Sequence, residues 1–393
     1  MFCAAQVIYL TVITLFGLGL VMIHSAAMRV DDVQSLSLLS LLVNRRTLYA
    51  VLAVLAMVVV SRFDVRHFER LTGRRNPLWW LLGLALLLVI LAMVPVLGRS
   101  VHGARRWLYL GPQAWGVSFQ PSELLKWVLV LVMAWWCGHR MRVIGQFRRG
   151  LAPALLVLTV ACGLVVIEDL GTGVLMAVVA SLLLIAGGAR LWQMAMTIPI
   201  AGLPLTWLIM DSPYRLARIT AFANPWEDAQ GIGYHPIQSM LAISGGGVGG
   251  RGLGNGIQKF GYLPEDTTDF LFAVICEELG IGGGVLVVAL LLALLWAIFM
   301  VAHDCKDTFT RLVALGVALT IGLQAVINIA VVTVMVPTKG IALPLLSAGG
   351  TGWVLTAVSL GLVASLDRAN RLERSRGFEV EAHPDTGTLE LGT

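Results

Sequence analysis

Ten long apolar runs alternate with short polar clusters along this chain, near 6–26, 47–62, 77–97, 119–137, 151–167, 173–189, 193–210, 269–302, 312–336 and 341–366. As a helix, an apolar run of roughly 20 residues crosses about 30 Å of hydrocarbon. The pattern therefore predicts about ten transmembrane helices with both termini on one side. The eighth run is too long for a straight crossing, so either its ends project from the bilayer or it bends at Gly280 to Gly284. Two polar stretches remain: the connection 211–268 between the seventh and eighth runs, and the tail 368–393. The tail, polar and containing Pro and Gly, is expected to be disordered. The first run has no basic leading region and no small-residue cleavage site, so it reads as a retained helix.

Composition supports the pattern. Of 393 residues, 58% are hydrophobic and 13% charged, more apolar surface than a soluble fold of this length needs to bury. The class is an all-α polytopic membrane protein with one membrane domain over 1–367, and no nucleic-acid partner is expected. The five cysteines lie in or beside apolar runs without CxxC spacing, which suits packing residues rather than a disulfide framework or zinc site.

Charge orients the bundle. Arg62, Arg66, Arg70, Arg74 and Arg75 share one side with Arg140, Arg142, Arg148, Arg149, Arg190, Lys306 and Arg311, and with Arg368, Arg371, Arg374 and Arg376 of the tail. By the positive-inside rule this side is cytoplasmic, which puts both termini inside and the connection 211–268 outside. The outer side nevertheless keeps Arg105, Arg106, Lys126, Arg215, Arg218, Arg251, Lys259 and Lys339. Cations kept against the topological preference suit an anionic partner on the outer surface.

Four stretches hold candidate chemistry. In "YLPEDTTDFLFAVICEELG" (262–280), Thr267 and Thr268 are good N-cap residues, which places Asp269 in the first turn of the next helix. Spacing then puts Asp269 and Glu277 near one helix face, about 12 Å apart along the axis. Asp269 either complements the helix dipole or serves a site; Glu277 and Glu278, two turns inside an apolar helix, either form ion pairs or face a polar cavity. In "GARRWLYLGPQAWGVSFQPSELLKW" (103–127), Arg105, Arg106 and Lys126 are interleaved with Trp107, Trp115 and Trp127, and Glu123 falls in a first helical turn. "EDLGTG" carries Glu168 and Asp169 in an outer turn. "VPTKGIALPLLSAGGTG" (336–352) breaks a helix entry with Pro337, Pro344 and paired glycines, and Lys339 is its one charge; Gln324 and Asn328 are isolated polar groups just before it. The glycine-dense "SGGGVGGRGLGNG" (244–256) is no nucleotide motif and suits tight turns or an anion-binding nest. The chain has no HExxH or GxSxG.

These motifs, with "YRLARITAFANPWEDAQGIGYHPIQS" before the glycine stretch, closely resemble the SEDS family of shape, elongation, division and sporulation proteins. The likeness runs from "VMIHSAA" (21–27) to Leu366, and "PTKG" at 337–340 is closer to the FtsW branch than to the RodA branch. The resemblance implies a peptidoglycan glycosyltransferase that polymerises lipid II at the outer face of the cytoplasmic (inner) membrane, working with a class B penicillin-binding protein and other divisome membrane proteins. It implies Asp269 as the catalytic residue. Arg105, Arg106, Lys126, Arg215, Arg218, Lys259, Glu265, Lys339 and Ser347 are then the candidate substrate contacts. Asp169, Glu123, Thr268, Glu277 and Glu278 are candidate positioning groups. The acidic cluster suits a divalent cation, Mg²⁺ or Mn²⁺, without requiring one. Three motif cores depart from the family: Thr267 stands where His is usual, Ala348 where an aromatic is usual, and Glu168 where Pro is usual. A lipid II flippase and a non-catalytic division scaffold remain the other readings.

Overall fold

The computed structural model describes residues 3–27, 44–71, 76–101, 104–109, 118–260 and 262–382. Trp115, Arg74, Arg75 and the last eleven residues of the tail lie outside them. Ten helices of sixteen residues or more follow the ten apolar runs in order. They are α1 (Ala4–Ala26), α2 (Arg45–Val60), α4 (Pro77–Met93), α5 (Pro121–Arg140), α6 (Ala152–Glu168), α7 (Leu170–Ala186), α8 (Leu191–Met210), α11 (Leu271–Asp304), α12 (Thr308–Val332) and α13 (Thr351–Ala382). The short α3 (His67–Arg70) lies on the expected cytoplasmic side. The connection after α8 forms α9 (Pro213–Ala223) and α10 (Tyr234–Gly246). By length and composition α1, α6, α8, α11 and α12 are each able to cross a membrane; α4 and α7 are shorter apolar helices.

Local sequence sets these boundaries. At α4, Asn76 accepts the Leu78 amide at 2.9 Å, and Pro77 fills the first helical position, where no N–H is needed. The Asn76 side chain, fully buried, also donates to the carbonyls of Phe68 and Leu71. Inside the bundle α13 packs on α2, α11 on α1 and α12, and α5 on α4, α7 and α12.

Three features differ from the sequence expectation. A small antiparallel sheet, β1 (Gly98–Val101), β2 (Ala104–Tyr109) and β3 (Ser118–Phe119), stands between α4 and α5, where no strand was expected. The tenth helix starts at Thr351 rather than near 341. Pro337 and Pro344 lack donors, and Val334 and Leu345 take left-handed backbone, so 333–350 runs as an irregular segment. The tail continues α13 as helix to Ala382. It is held there by Asp367, which accepts from the Cys3 thiol (2.7 Å) and the Ala5 amide (3.3 Å), by Arg66 on Glu373 and Asn370, and by Arg374 on Asp304 at 2.9 Å.

The eighth run follows one of its two expected courses. It does bend, at Gly280, whose φ of 69° and ψ of −165° are open only to glycine at low cost. The break frees the carbonyls of Glu277 and Glu278, which accept the amides of Arg251 and Gly252, both at 3.0 Å. The carboxylates of the same two residues fill the glycine-rich loop: Glu278 accepts from the Gly254 amide (3.0 Å) and Glu277 from the Ile257 amide (2.8 Å). The anion nest expected of this loop is thus occupied by the chain's own acids.

Candidate active site

The turn before α11 is built around Glu265, whose φ of 57° is uncommon for a residue with a side chain. Its carbonyl accepts the amides of Thr268 (3.1 Å) and Phe270 (3.2 Å), and its carboxylate accepts the Thr268 hydroxyl at 2.7 Å. Thr268 is therefore engaged by Glu265 and caps nothing; the residue at the N-cap is Phe270. Asp269 consequently precedes the helix instead of occupying its first turn. It does not share a face with Glu277, whose carboxylate turns to the glycine loop.

Asp269 is clasped from behind. Its carbonyl accepts from the Asn328 side chain at 2.8 Å, and a Cβ on Gly340 would stand 3.0 Å from its Oδ2. Gly340 thus lets the 333–350 segment lie against the carboxyl. Burial raises the Asp269 pKa to about 7; the charges of Glu265 and Asp169 add to the rise, and Arg106 and Arg218 oppose it. Next to it, burial lifts Asp266 to about 6. A carboxyl that is half ionised near neutral pH is suited to accept a proton.

The charges of Arg106 and Arg218 reach this carboxyl from two elements, and Lys339 stands within reach of Asp169 and Arg218. On β2, the Arg106 guanidinium pairs with Asp169 at 2.8 Å, and the Arg105 amide donates to Glu168 at 2.7 Å. Asp169 also caps α7, accepting from the Thr172 amide and hydroxyl at 3.1 and 3.0 Å. The acids of "EDLGTG" therefore dock β2, and Arg105, Arg106, Glu168 and Asp169 line a cleft walled on its apolar side by Val89, Ala92 and Leu164. On α9, Arg218 stacks on the Tyr214 ring (4.5 Å to the centroid) and donates to the Thr338 carbonyl at 3.2 Å. Arg215 is bound to the carbonyls of Leu208 and Ile167. Lys339 is half-buried; desolvation lowers the pKa of its amine, Asp169 counteracts this, and Arg218 adds to it.

Three expected substrate contacts lie elsewhere. Lys126 has a side chain only 2% exposed, bound to Glu123 (2.8 Å) and Gln324 (3.1 Å), so it supports the bundle under the irregular segment. Lys259 is fully enclosed, 2.8 Å from Glu278 and 3.1 Å from the Ser25 hydroxyl. The Ser347 hydroxyl is buried and accepts the Leu343 amide at 2.9 Å. A buried ammonium needs a buried partner, which is why the two lysines are drawn away from the cleft. Glu277 and Glu278 take the ion-pair reading: besides Lys259, Arg251 lies 3.6 Å from Glu277.

Two residues gain a place that sequence did not give them. His235 of α10 lays its ring against Phe270, with centroids 5.9 Å apart, and Asn328 holds the Asp269 backbone. Among the described residues no three His, Cys, Asp or Glu side chains converge as metal ligands.

The profile of a family described as cell cycle protein, comprising the FtsW, RodA and SpoVE groups, matches residues 5–372. A Coxiella burnetii protein named "Probable peptidoglycan glycosyltransferase FtsW" is 35% identical over 360 residues, covering 91% of this chain and 94% of its own. Stage V sporulation protein E of Bacillus subtilis is 35% identical over 373 residues, covering 92% and 97%. Among solved structures, a chain from a peptidoglycan synthase complex that coordinates polymerization and crosslinking superposes with a TM-score of 0.71 at 25% identity, covering 92% of this chain and 97% of its own. With a family match over residues 5–372 and relatives along nearly its whole length, this chain belongs to the FtsW/RodA/SpoVE family of polytopic membrane proteins.

Proposed function

We propose that this protein is a peptidoglycan glycosyltransferase that polymerises lipid II into glycan strands at the outer face of the cytoplasmic membrane, in cell division. The observation that carries the reading is the Asp269 carboxyl, with its pKa raised to about 7 and lying among Glu265, Arg106 and Arg218. Glycan extension joins an acceptor sugar hydroxyl to the anomeric carbon of a donor sugar. The bond from that carbon to the carrier pyrophosphate breaks as the new glycosidic bond forms. Asp269 takes the hydroxyl proton as general base. Arg106, Arg218 and Lys339 counter the charge growing on the departing pyrophosphate, the two arginines already fixed by the contacts described. The apolar wall of Val89, Ala92 and Leu164 suits the polyprenyl end of such a substrate.

A class B penicillin-binding protein is the partner we assign, supported by the likeness to a synthase-complex chain, together with other divisome membrane proteins. Arginine-rich short loops favour both termini in the cytoplasm. Glu277 and Glu278, which suited a translocation path, are spent on loop amides and Lys259, and this weighs against the flippase reading.

The test is polymerisation of labelled lipid II by the purified protein with its transpeptidase partner, with EDTA or with Mg²⁺ or Mn²⁺, in parallel with Asp269→Asn. Wild type should build strands, and the isosteric variant should lose about 100-fold or more of the rate, the usual worth of a general base. A folded Asp269→Asn protein that polymerises normally overturns the assignment of the base. An inactive wild type with partner and metals supplied returns the flippase and scaffold readings to the front.

A further inference from the structure

Asn328 lies in the last turns of α12, 1% exposed, and both hydrogens of its amide are committed. One goes to the Asp269 carbonyl at 2.8 Å and the other to the Ile341 carbonyl at 2.7 Å. Neither acceptor belongs to regular structure: Asp269 sits in the turn before α11, and Ile341 in the irregular segment two residues beyond Lys339. The Ala348 amide adds a second tie between the same two segments, donating to the Thr267 carbonyl at 3.0 Å. One turn earlier on the same face of α12, Gln324 donates to the Ala342 carbonyl at 2.9 Å and accepts from Lys126.

We propose that Asn328 is a positioning residue, a clasp that fixes the carboxyl of Asp269 and the segment carrying Lys339 in one frame. The inference rests on the function proposed above, because it concerns the distance between base and cation. The contacts themselves argue for more than packing. The Asn328 Oδ1 is buried without a partner, an arrangement that costs stability and that an apolar residue would avoid. What the side chain supplies in return is two donors, and both act on chain segments with no helical or sheet partners to hold them. Positioning errors well under 1 Å lower turnover more than they lower binding, since they act on alignment in the transition state.

The experiment compares wild type, Asn328→Leu and Asn328→Gln as full chains with the partner present, using lipid II as substrate and Asp269→Asn as the inactive control. The leucine variant should lose about 10-fold or more in kcat with KM changed less than about 3-fold, and melt close to wild type. The glutamine variant, which keeps the donors on a longer arm, should recover part of that loss. Hydrogen–deuterium exchange should rise in 266–270 and 338–343 of Asn328→Leu and stay level elsewhere. A leucine variant within twofold of wild-type kcat overturns the clasp, as does a loss confined to KM or matched by a lower folded fraction. A wild type inactive on lipid II counts against the proposed function alone, since exchange in the two segments still decides whether Asn328 joins them.

Discussion

The raised pKa of Asp269 has a cost that is open to measurement. A carboxyl that titrates at 3.8 when solvated and at about 7 in the fold holds its proton more tightly in the folded state. The stability this gives is fully present below pH 3.8 and is lost as pH rises through about 7. At 1.36 kcal/mol per pH unit the span between the two values is worth about 4 kcal/mol. Asp269 keeps some exposure, so solvent screening reduces the figure, to about 2 kcal/mol at pH 8 and about half that at pH 5.5. The Asp269→Asn protein carries no charge to bury. It should melt about 2 to 4 °C above wild type at pH 8, with the gap narrowing toward pH 5, while its polymerisation is abolished. Tryptophan fluorescence during heating in detergent is the assay, since the chain has 12 tryptophans. A gap that stays constant from pH 5 to 8, or a variant that melts lower at pH 8, refutes the account. In the same buffers wild-type turnover should rise with pH through about 7.

Three further outcomes follow from contacts described above. Lys259→Met leaves Glu278 charged and buried, which should cost about 3 to 5 kcal/mol; pairing it with Glu278→Gln should recover much of the loss in a thermal double-mutant cycle. Gly340→Ala places a methyl 3.0 Å from the Asp269 carboxylate, and turnover should fall several-fold with melting almost unmoved. Arg106→Gln removes a cation that holds the Asp269 pKa down, so the rising limb of the pH–rate profile should move to higher pH as the maximum rate falls.

Hydropathy alone made the ten-helix plan legible, because lipid demands long apolar helices whatever their neighbours. It also showed that the eighth run was too long to cross straight, and of the two ways out, projecting ends or a bend at the clustered glycines, the chain takes the bend at Gly280. The start of α13 was misplaced because the apolar residues of 341–350 satisfy the hydropathy of a span while Pro344 and the Ser347 turn forbid the helix. Arg106, Arg218 and Lys339 were legible as cations kept on the side expected to face outward, and Asp269 through the motif it shares with the SEDS family. Lys126 and Lys259 carried the same signal for a different reason. Each is matched by an acid within the fold, Glu123 for Lys126 and the fully buried Glu278 for Lys259, and in the second case the match joins Ser25 to Glu278 across 253 residues. Sequence spacing does not disclose such a pairing. Asn328 was visible only as a polar residue in an apolar helix, since its two acceptors are main-chain carbonyls, which every residue has.

The break at Gly280 divides α11 unequally. Beyond it 24 residues, 281–304, form a shaft of about 36 Å, somewhat longer than the hydrocarbon slab, a mismatch that a helix meets by tilting. The short stub before the break leads back to Asp269, and its last carbonyls and both glutamates are bonded to the glycine-rich loop. The same loop grips the other side: the Ile281 amide, first in the shaft, donates to the Gly247 carbonyl at 3.0 Å, and the backbone of Val248 and Gly250 lies against Gly280. A single loop thus splints the break from both ends, and the stub that leads to the carboxyl of Asp269 takes its place from that splint rather than from the lipid around the shaft.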